Sequence, residues 1–98
     1  MIKNSSLLKD HLLSQKEGNI VSDMDGEKVM LSIENGKYYN LGEVGGDIWD
    51  LMEQPVSLQD MVAALTSQYN VTMEECEEQV LSFLDHLAEE GLIKTHSR

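Results

Sequence analysis

The sequence predicts an α+β fold of winged-helix type: a three-stranded antiparallel sheet followed by three helices. Three observations carry this. Two tight-turn dipeptides, Asp25-Gly26 and Asn35-Gly36, punctuate short alternating apolar segments, the pattern of a strand meander. From Gly42 onward the apolar spacing changes from every second residue to every third or fourth, the period of helices. In that second half, Ser57 and Thr72 each stand just ahead of an apolar-periodic run, where N-caps belong.

In chain order, residues 1–18 form an N-terminal arm. Leu7, Leu8, His11 and Leu12 share one helical face, but the same stretch fits an extra strand near 12–16 or a loose arm. The domain proper spans 19–95. Asn19–Met24 is the first strand, built on Ile20 and Val21. Residues 27–33 are the second, with Val29, Leu31 and Ile33 on one face and Lys28, Met30 and Ser32 on the other. Lys37–Leu41 is the third, with Tyr39 and Leu41 toward the core and Tyr38 and Asn40 opposite. No later strand is placed to cover its outer edge.

Gly42 ends that strand, and a helix follows to about residue 53, with Val44, Ile48, Trp49 and Met52 inward. Gln54-Pro55 breaks it, because the residue before proline disfavours helix. Ser57 caps a second helix with Leu58, Met61, Val62 and Leu65 inward. Thr72 caps a third helix, which runs to residue 90. Its central stripe is Met73, Cys76, Val80, Leu84 and Leu87, flanked by Phe83, Leu81 and Ala88. Gly91 suits the position just past a helix end, and residues 92–95 add a short extended tail.

The chain has 98 residues, 41% of them hydrophobic, enough for one domain with a modest core. One cysteine excludes an internal disulfide and fits a reducing compartment. Neither a transmembrane run nor a signal-peptide pattern is present, which points to the cytoplasm. The formal net charge is −11. Residues 1–40 hold five lysines against six acids, a net of −1. Residues 41–98 hold only Lys94 and Arg98 against twelve acids, a net of −10. That half would repel a phosphate backbone and attract a basic partner.

Candidate chemistry is sparse. Cys76 lies on the apolar stripe of an acidic helix, where Glu77 and Glu78 disfavour a thiolate, and it reads as a structural residue. His11, His86 and His96 lie in separate segments without metal-ligand spacing. The run Gly42-Glu43-Val44-Gly45-Gly46 lacks the Lys-Ser/Thr of a phosphate loop and reads as a strand-to-helix turn. Trp49 reads as a core anchor. The third helix has seven acids and no Lys or Arg, and its broad apolar coverage leaves one flank free to wall a groove. No acid pair, triad or metal set points to catalysis, so no enzyme activity and no cofactor are expected.

The ordered set Asp25-Gly26, Val29-Met30-Leu31, Gly36-Lys37-Tyr38-Tyr39-Asn40-Leu41-Gly42, Ile48-Trp49, Leu65-Thr66-Ser67-Gln68-Tyr69-Asn70-Val71, Val80-Leu81-Ser82-Phe83-Leu84-Asp85-His86-Leu87 and Gly91-Leu92-Ile93 resembles the PqqD-like family. It looks most like the stand-alone RiPP recognition elements of lasso-peptide gene clusters. The resemblance implies a non-enzymatic domain that binds the leader of a ribosomally made precursor peptide and delivers it to a leader peptidase and a cyclase. The family's leader adds as a strand beside the third strand, here Lys37, Tyr38, Tyr39, Asn40 and Leu41. It lies against the third helix, here Cys76, Glu77, Val80, Phe83, Leu84 and Leu87. The chain departs from many relatives in having Asn40-Leu41-Gly42 where they have Leu-Asn.

Strand addition agrees with the residues themselves, since an open edge offers unpaired N–H and C=O groups to any extended peptide. The fold also admits a winged-helix transcription regulator. Its recognition helix would then be the acidic segment 72–90, which lacks the bases that DNA requires. A small enzyme subunit is a third reading, with no constellation to support it.

Overall fold

The computed structural model describes Lys9 and residues 11–96. The described elements are β1 (Leu12–Gln15), β2 (Asn19–Met24), β3 (Glu27–Ser32), β4 (Lys37–Leu41), α1 (Gly42–Leu51), α2 (Leu58–Gln68), α3 (Met73–Glu89) and β5 (Ile93–His96). The expected meander is present as an antiparallel sheet in the order β2-β3-β4, followed by the three expected helices. Of the helical face expected in the arm, Leu7 and Leu8 lie outside the described residues.

The turn chemistry forms as the residues dictate. Asp25 and Gly26 both take positive φ, 56° and 86°, as the right-handed twist of a two-residue hairpin requires. The Ser57 hydroxyl accepts from the Asp60 N–H at 3.1 Å, and the Thr72 hydroxyl accepts from the Glu75 N–H at 3.1 Å. Each satisfies an amide the helix itself leaves unpaired. Gly91, at φ 73°, turns the chain out of α3, and the Leu92 N–H then reaches back to the Leu87 carbonyl at 2.9 Å.

The tail and part of the arm form a second sheet. β1 pairs antiparallel with β5, from Leu12 opposite His96 to Gln15 opposite Ile93. The other edge of β1 bonds to the α1–α2 connection. Leu13 exchanges backbone bonds with Val56 at 2.8 and 3.0 Å, and the Gln15 N–H donates to the Met52 carbonyl at 3.0 Å. Leu13 is fully buried. Of the three forms the sequence left open for residues 12–16, the strand is the one adopted, and it carries a core residue.

The core lies between the helices and one face of the main sheet. Leu58, Met61, Val62 and Leu65 of α2 are all buried, as are Ile48, Trp49 and Met52, and Cys76, Val80, Leu84 and Leu87. Two residues expected inward are not. Val44 is 44% exposed in the first turn of α1, and Met73 is 63% exposed at the first position of α3. In β3 the inward face is Met30 and Ser32, 0% and 1% exposed, so Val29 and Leu31 face out. Ser32 is accommodated inside because its hydroxyl accepts from the Asn35 N–H at 3.1 Å within the turn.

Candidate functional site

β4 is an edge strand. It pairs with β3 on one side, with Lys37 opposite Ser32, Tyr38 opposite Leu31, Tyr39 opposite Met30 and Asn40 opposite Val29, and among the described residues its other side has no strand partner. The parity of that free side follows from two bonds. The Ser32 carbonyl accepts from the Gly36 N–H at 2.8 Å, so Ser32 aims its backbone toward β4, while the Ile33 N–H reaches the Gly18 carbonyl at 3.5 Å on the β2 side. In an antiparallel ladder, N–H and C=O of one residue point the same way and alternate along the strand. Met30 and Tyr39 therefore bond to each other across the ladder, and Tyr38 and Asn40 offer their backbone groups to the open edge.

Both ends of the edge are pinned. At the first end, the Tyr39 hydroxyl donates to Glu90 Oε1 at 2.8 Å, Lys37 Nζ lies 3.6 Å from the same oxygen, and Asn35 Nδ2 donates to the Glu90 carbonyl at 2.8 Å. The Tyr39 hydroxyl and then the Lys37 charge hold the Glu90 carboxyl below its usual pKa. At the second end, Asn40 Oδ1 accepts from the Gly42 N–H at 3.0 Å, and Gly42 turns the chain at φ 74° into α1. A Cβ on Gly45 would lie 2.9 Å from the tip of the Phe83 ring and 3.4 Å from Leu41 Cβ, so this glycine lets Phe83 of α3 pack against the first turn of α1, beside the end of β4.

Next to that contact is an apolar cavity of about 230 Å³. Val44, Gly45 and Ile48 of α1, Leu65 and Tyr69 from the α2 side, Val71, and Cys76, Gln79, Val80 and Phe83 line it. Asp47 lies on the same helix as the first wall and accepts a hydrogen bond from the Tyr69 hydroxyl. That bond, then partial burial, then the charges of Asp47 and Glu43 push the Tyr69 hydroxyl up to about 12. A folded pKa above the unfolded value of 10 means the neutral hydroxyl is favoured by folding. The contribution is whole below pH 10 and is lost as pH rises through 12. Thermal melts should therefore show wild type losing stability more steeply between pH 10 and 12 than Tyr69→Phe does. Parallel curves would show that the Tyr69–Asp47 bond adds no stability. Burial raises the Cys76 thiol, so it lines the wall as an inert apolar group.

The expected site residues separate by burial. Lys37, Tyr38 and Asn40 are exposed, with Tyr38 at 75%, while Tyr39, Glu77 and Phe83 are half-buried. Leu41, Cys76, Val80, Leu84 and Leu87 are buried, and of these only Cys76 and Val80 reach the cavity. Glu77 faces Lys9 at 3.6 Å. Sequence reasoning missed the α1 and α2 walls of the cavity. The available signal was Gly45-Gly46, which reads as a turn but lies inside a helix; glycines there cost about 1 kcal/mol each and imply a close neighbour. Among the described residues, no group of three His, Cys, Asp or Glu could hold a metal ion, and no helix is long and apolar enough to cross a membrane.

A chain with this sheet, this open edge and this helix against it has known counterparts. The family model described as coenzyme PQQ synthesis protein D (PqqD) matches residues 27–93, and the chain belongs to that family. No curated protein sequence matches it. Among solved structures it is similar to TbiB1 in complex with the TbiA(beta) leader peptide, with TM-score 0.76 and 27% identity over 87% of this chain and 99% of that one. Lasso peptide synthetase B1 complexed with the leader peptide gives TM-score 0.73 and 23% identity, over 84% and 96%. The PqqD truncation of Methylobacterium extorquens PqqCD, a RiPP recognition element, gives 0.72 and 15%, over 85% and 88%. The last two establish likeness of fold.

Proposed function

We propose that this chain binds the leader region of a ribosomally made precursor peptide and hands it to processing enzymes, a leader peptidase and a cyclase, in the cytoplasm, without catalysing a step itself. The observation that carries this is the open edge of β4 beside α3. The likeness to TbiB1, whose structure holds a leader peptide, supports it. The leader adds as a fourth strand on Lys37–Leu41, bonding to the outward backbone of Tyr38 and Asn40. Its alternate side chains turn toward α3, against Phe83, and into the cavity walled by Cys76 and Val80, whereas Glu77 lies on the other flank of α3, facing Lys9 beside Leu58 and Val62. Leu41, Leu84 and Leu87 hold that wall from beneath, and Tyr39 with Glu90 fixes the strand.

Backbone pairing gives affinity without sequence preference, so selectivity comes from the cavity and from charge. The exposed acids of α3, Glu74, Glu75 and Glu78, favour a leader carrying Lys or Arg, and they disfavour DNA on the same helix. Titration with the cognate leader peptide should give saturable binding, with amide shifts concentrated in β4 and α3. Shifts confined to other elements would overturn the site. Raising salt from 50 to 500 mM should weaken binding, since exposed charges are screened beyond a few ångströms at the upper end. A salt-insensitive dissociation constant would remove the acidic face from the account.

A further inference from the structure

The groove between β4 and α3 carries opposite charges at its two ends. Phe83 packs beside Gly45, next to the end of β4, while Glu90 meets Tyr39 and Lys37 at the start of the strand, so α3 runs antiparallel to β4. The exposed acids Glu74, Glu75 and Glu78 therefore lie past the Leu41 end. Lys37 stands at the opposite end, and β4 and α3 contain no other Lys or Arg. Lys37 shares a strand face with Tyr39 and Leu41, which turns its side chain to the α3 side of the sheet. Along the helix axis Glu78 and Glu90 are about 18 Å apart. That is about two screening lengths at physiological salt, so the two ends act on a bound peptide independently.

Lys37 is also weakly committed. Its side chain is 63% exposed, more than that of any other described lysine, and its one ion-pair partner among the described residues is Glu90, at 3.6 Å. Glu90 does not depend on it, because the same carboxylate oxygen accepts from the Tyr39 hydroxyl at 2.8 Å. Glu34, in the turn before β4, is already paired with Lys16 at 3.0 Å. The Lys37 ammonium can therefore take a second carboxylate while Tyr39 keeps Glu90 in place.

We propose that Lys37 is a specificity-determining residue, which selects a leader bearing an Asp or Glu at the Lys37 end of the added strand, on the face turned to α3. This role rests on the leader-binding reading above and adds a charge requirement to it. The peptide that fits is bipolar, with its acid at Lys37 and its Lys or Arg beyond Leu41. A leader with those charges exchanged meets like charge at both ends. The pairing also fixes register, since a slip of one residue carries the acid to the opposite face of the sheet.

The test uses the full chain, its cognate leader peptide and a set of leader variants in which each Asp or Glu is changed singly to Asn or Gln. Calorimetric titration measures each against wild type and Lys37→Met. One acid should stand out: neutralising it should weaken binding to wild type about three- to fivefold, and to Lys37→Met by less than about 1.5-fold. Changing that acid to Lys should weaken wild type further, and Lys37→Glu should recover most of the loss, a rescue that a merely structural lysine would not give. Circular dichroism checks the folds, and the Lys37→Met comparison decides the matter should Lys37→Glu repel Glu90 and loosen β4. If every neutralisation costs the same on wild type and on Lys37→Met, Lys37 reads no carboxylate and the proposal is overturned with leader binding intact. Saturable binding of a cognate leader that has no Asp or Glu overturns it as well. Failure of wild type to bind leader at all removes the leader-binding reading and this role with it.

Discussion

Replacing Tyr38 with proline should lower leader affinity by roughly tenfold or more while leaving the domain folded. Tyr38 aims its N–H at the open edge, so proline removes no bond of the β3–β4 ladder, and an edge strand tolerates the ring there. What it removes is one bond to the incoming strand, worth about 0.5–1.5 kcal/mol net, and the ring also fills space the added strand must occupy. Calorimetric titration reads the affinity, and circular dichroism confirms the fold. Tyr38→Ala separates the two contributions, because it keeps the N–H and loses only the side chain. Proline at Tyr39 is a different experiment. Its N–H bonds inward to Met30, so that change attacks the sheet itself. Equal affinities for wild type and Tyr38→Pro would show that the leader does not pair with this edge.

Leu13→Ala should be the most destabilising single truncation in the N-terminal segment, at about 2–5 kcal/mol. The side chain is fully buried, and its backbone is clamped by Val56 on one side and by the β5 pairing on the other, so the site cannot collapse around the loss. For a domain of this size each kcal/mol moves Tm by about 4–8 °C, and a fall of roughly 10–30 °C is expected. Thermal unfolding measures it directly. A fall of only a degree or two would mean that β1 is peripheral, in spite of its burial.

The two variants divide along the line between what the sequence revealed and what it hid. The meander and the helices were legible because their signals are local. Asp25-Gly26, Ser57, Thr72 and Gly91 each fix the backbone within a few residues of themselves, and the inward sets of α2 and α3 follow from period alone. β1 and β5 were not legible as a pair. Each is four residues long, and their partners stand 78 to 84 positions apart, with no turn to announce the pairing. The face of β3 was also hidden. Val29 and Leu31 are the more apolar set, yet Met30 and Ser32 go inside, because register with Val21 and Tyr39 decides the matter and a turn hydrogen bond satisfies the serine.

The candidate site was half legible for the same reason. The edge strand and the α3 wall could be read from alternation and helical period. The cavity could not, since it is assembled from α1, α2 and α3 at once, and Tyr69 reaches Asp47 from 22 residues away. Only the paired glycines of α1 hinted that another element comes close there.

The β1–β5 pairing also sets an order of events during synthesis. β1 emerges from the ribosome before every other described strand, yet the strand that covers one of its edges is made only after α3 and Gly91. Until then Leu12 to Gln15 can pair only with the α1–α2 connection, so the nascent chain completes its meander and helices while one strand of the finished structure still waits for its neighbour. The final closure brings together residues at opposite ends of the described chain, the longest loop this fold has to close. Truncation before Ile93 should therefore yield a chain with its β4 edge formed and the β5-facing side of β1 unpaired, an edge that the finished chain covers.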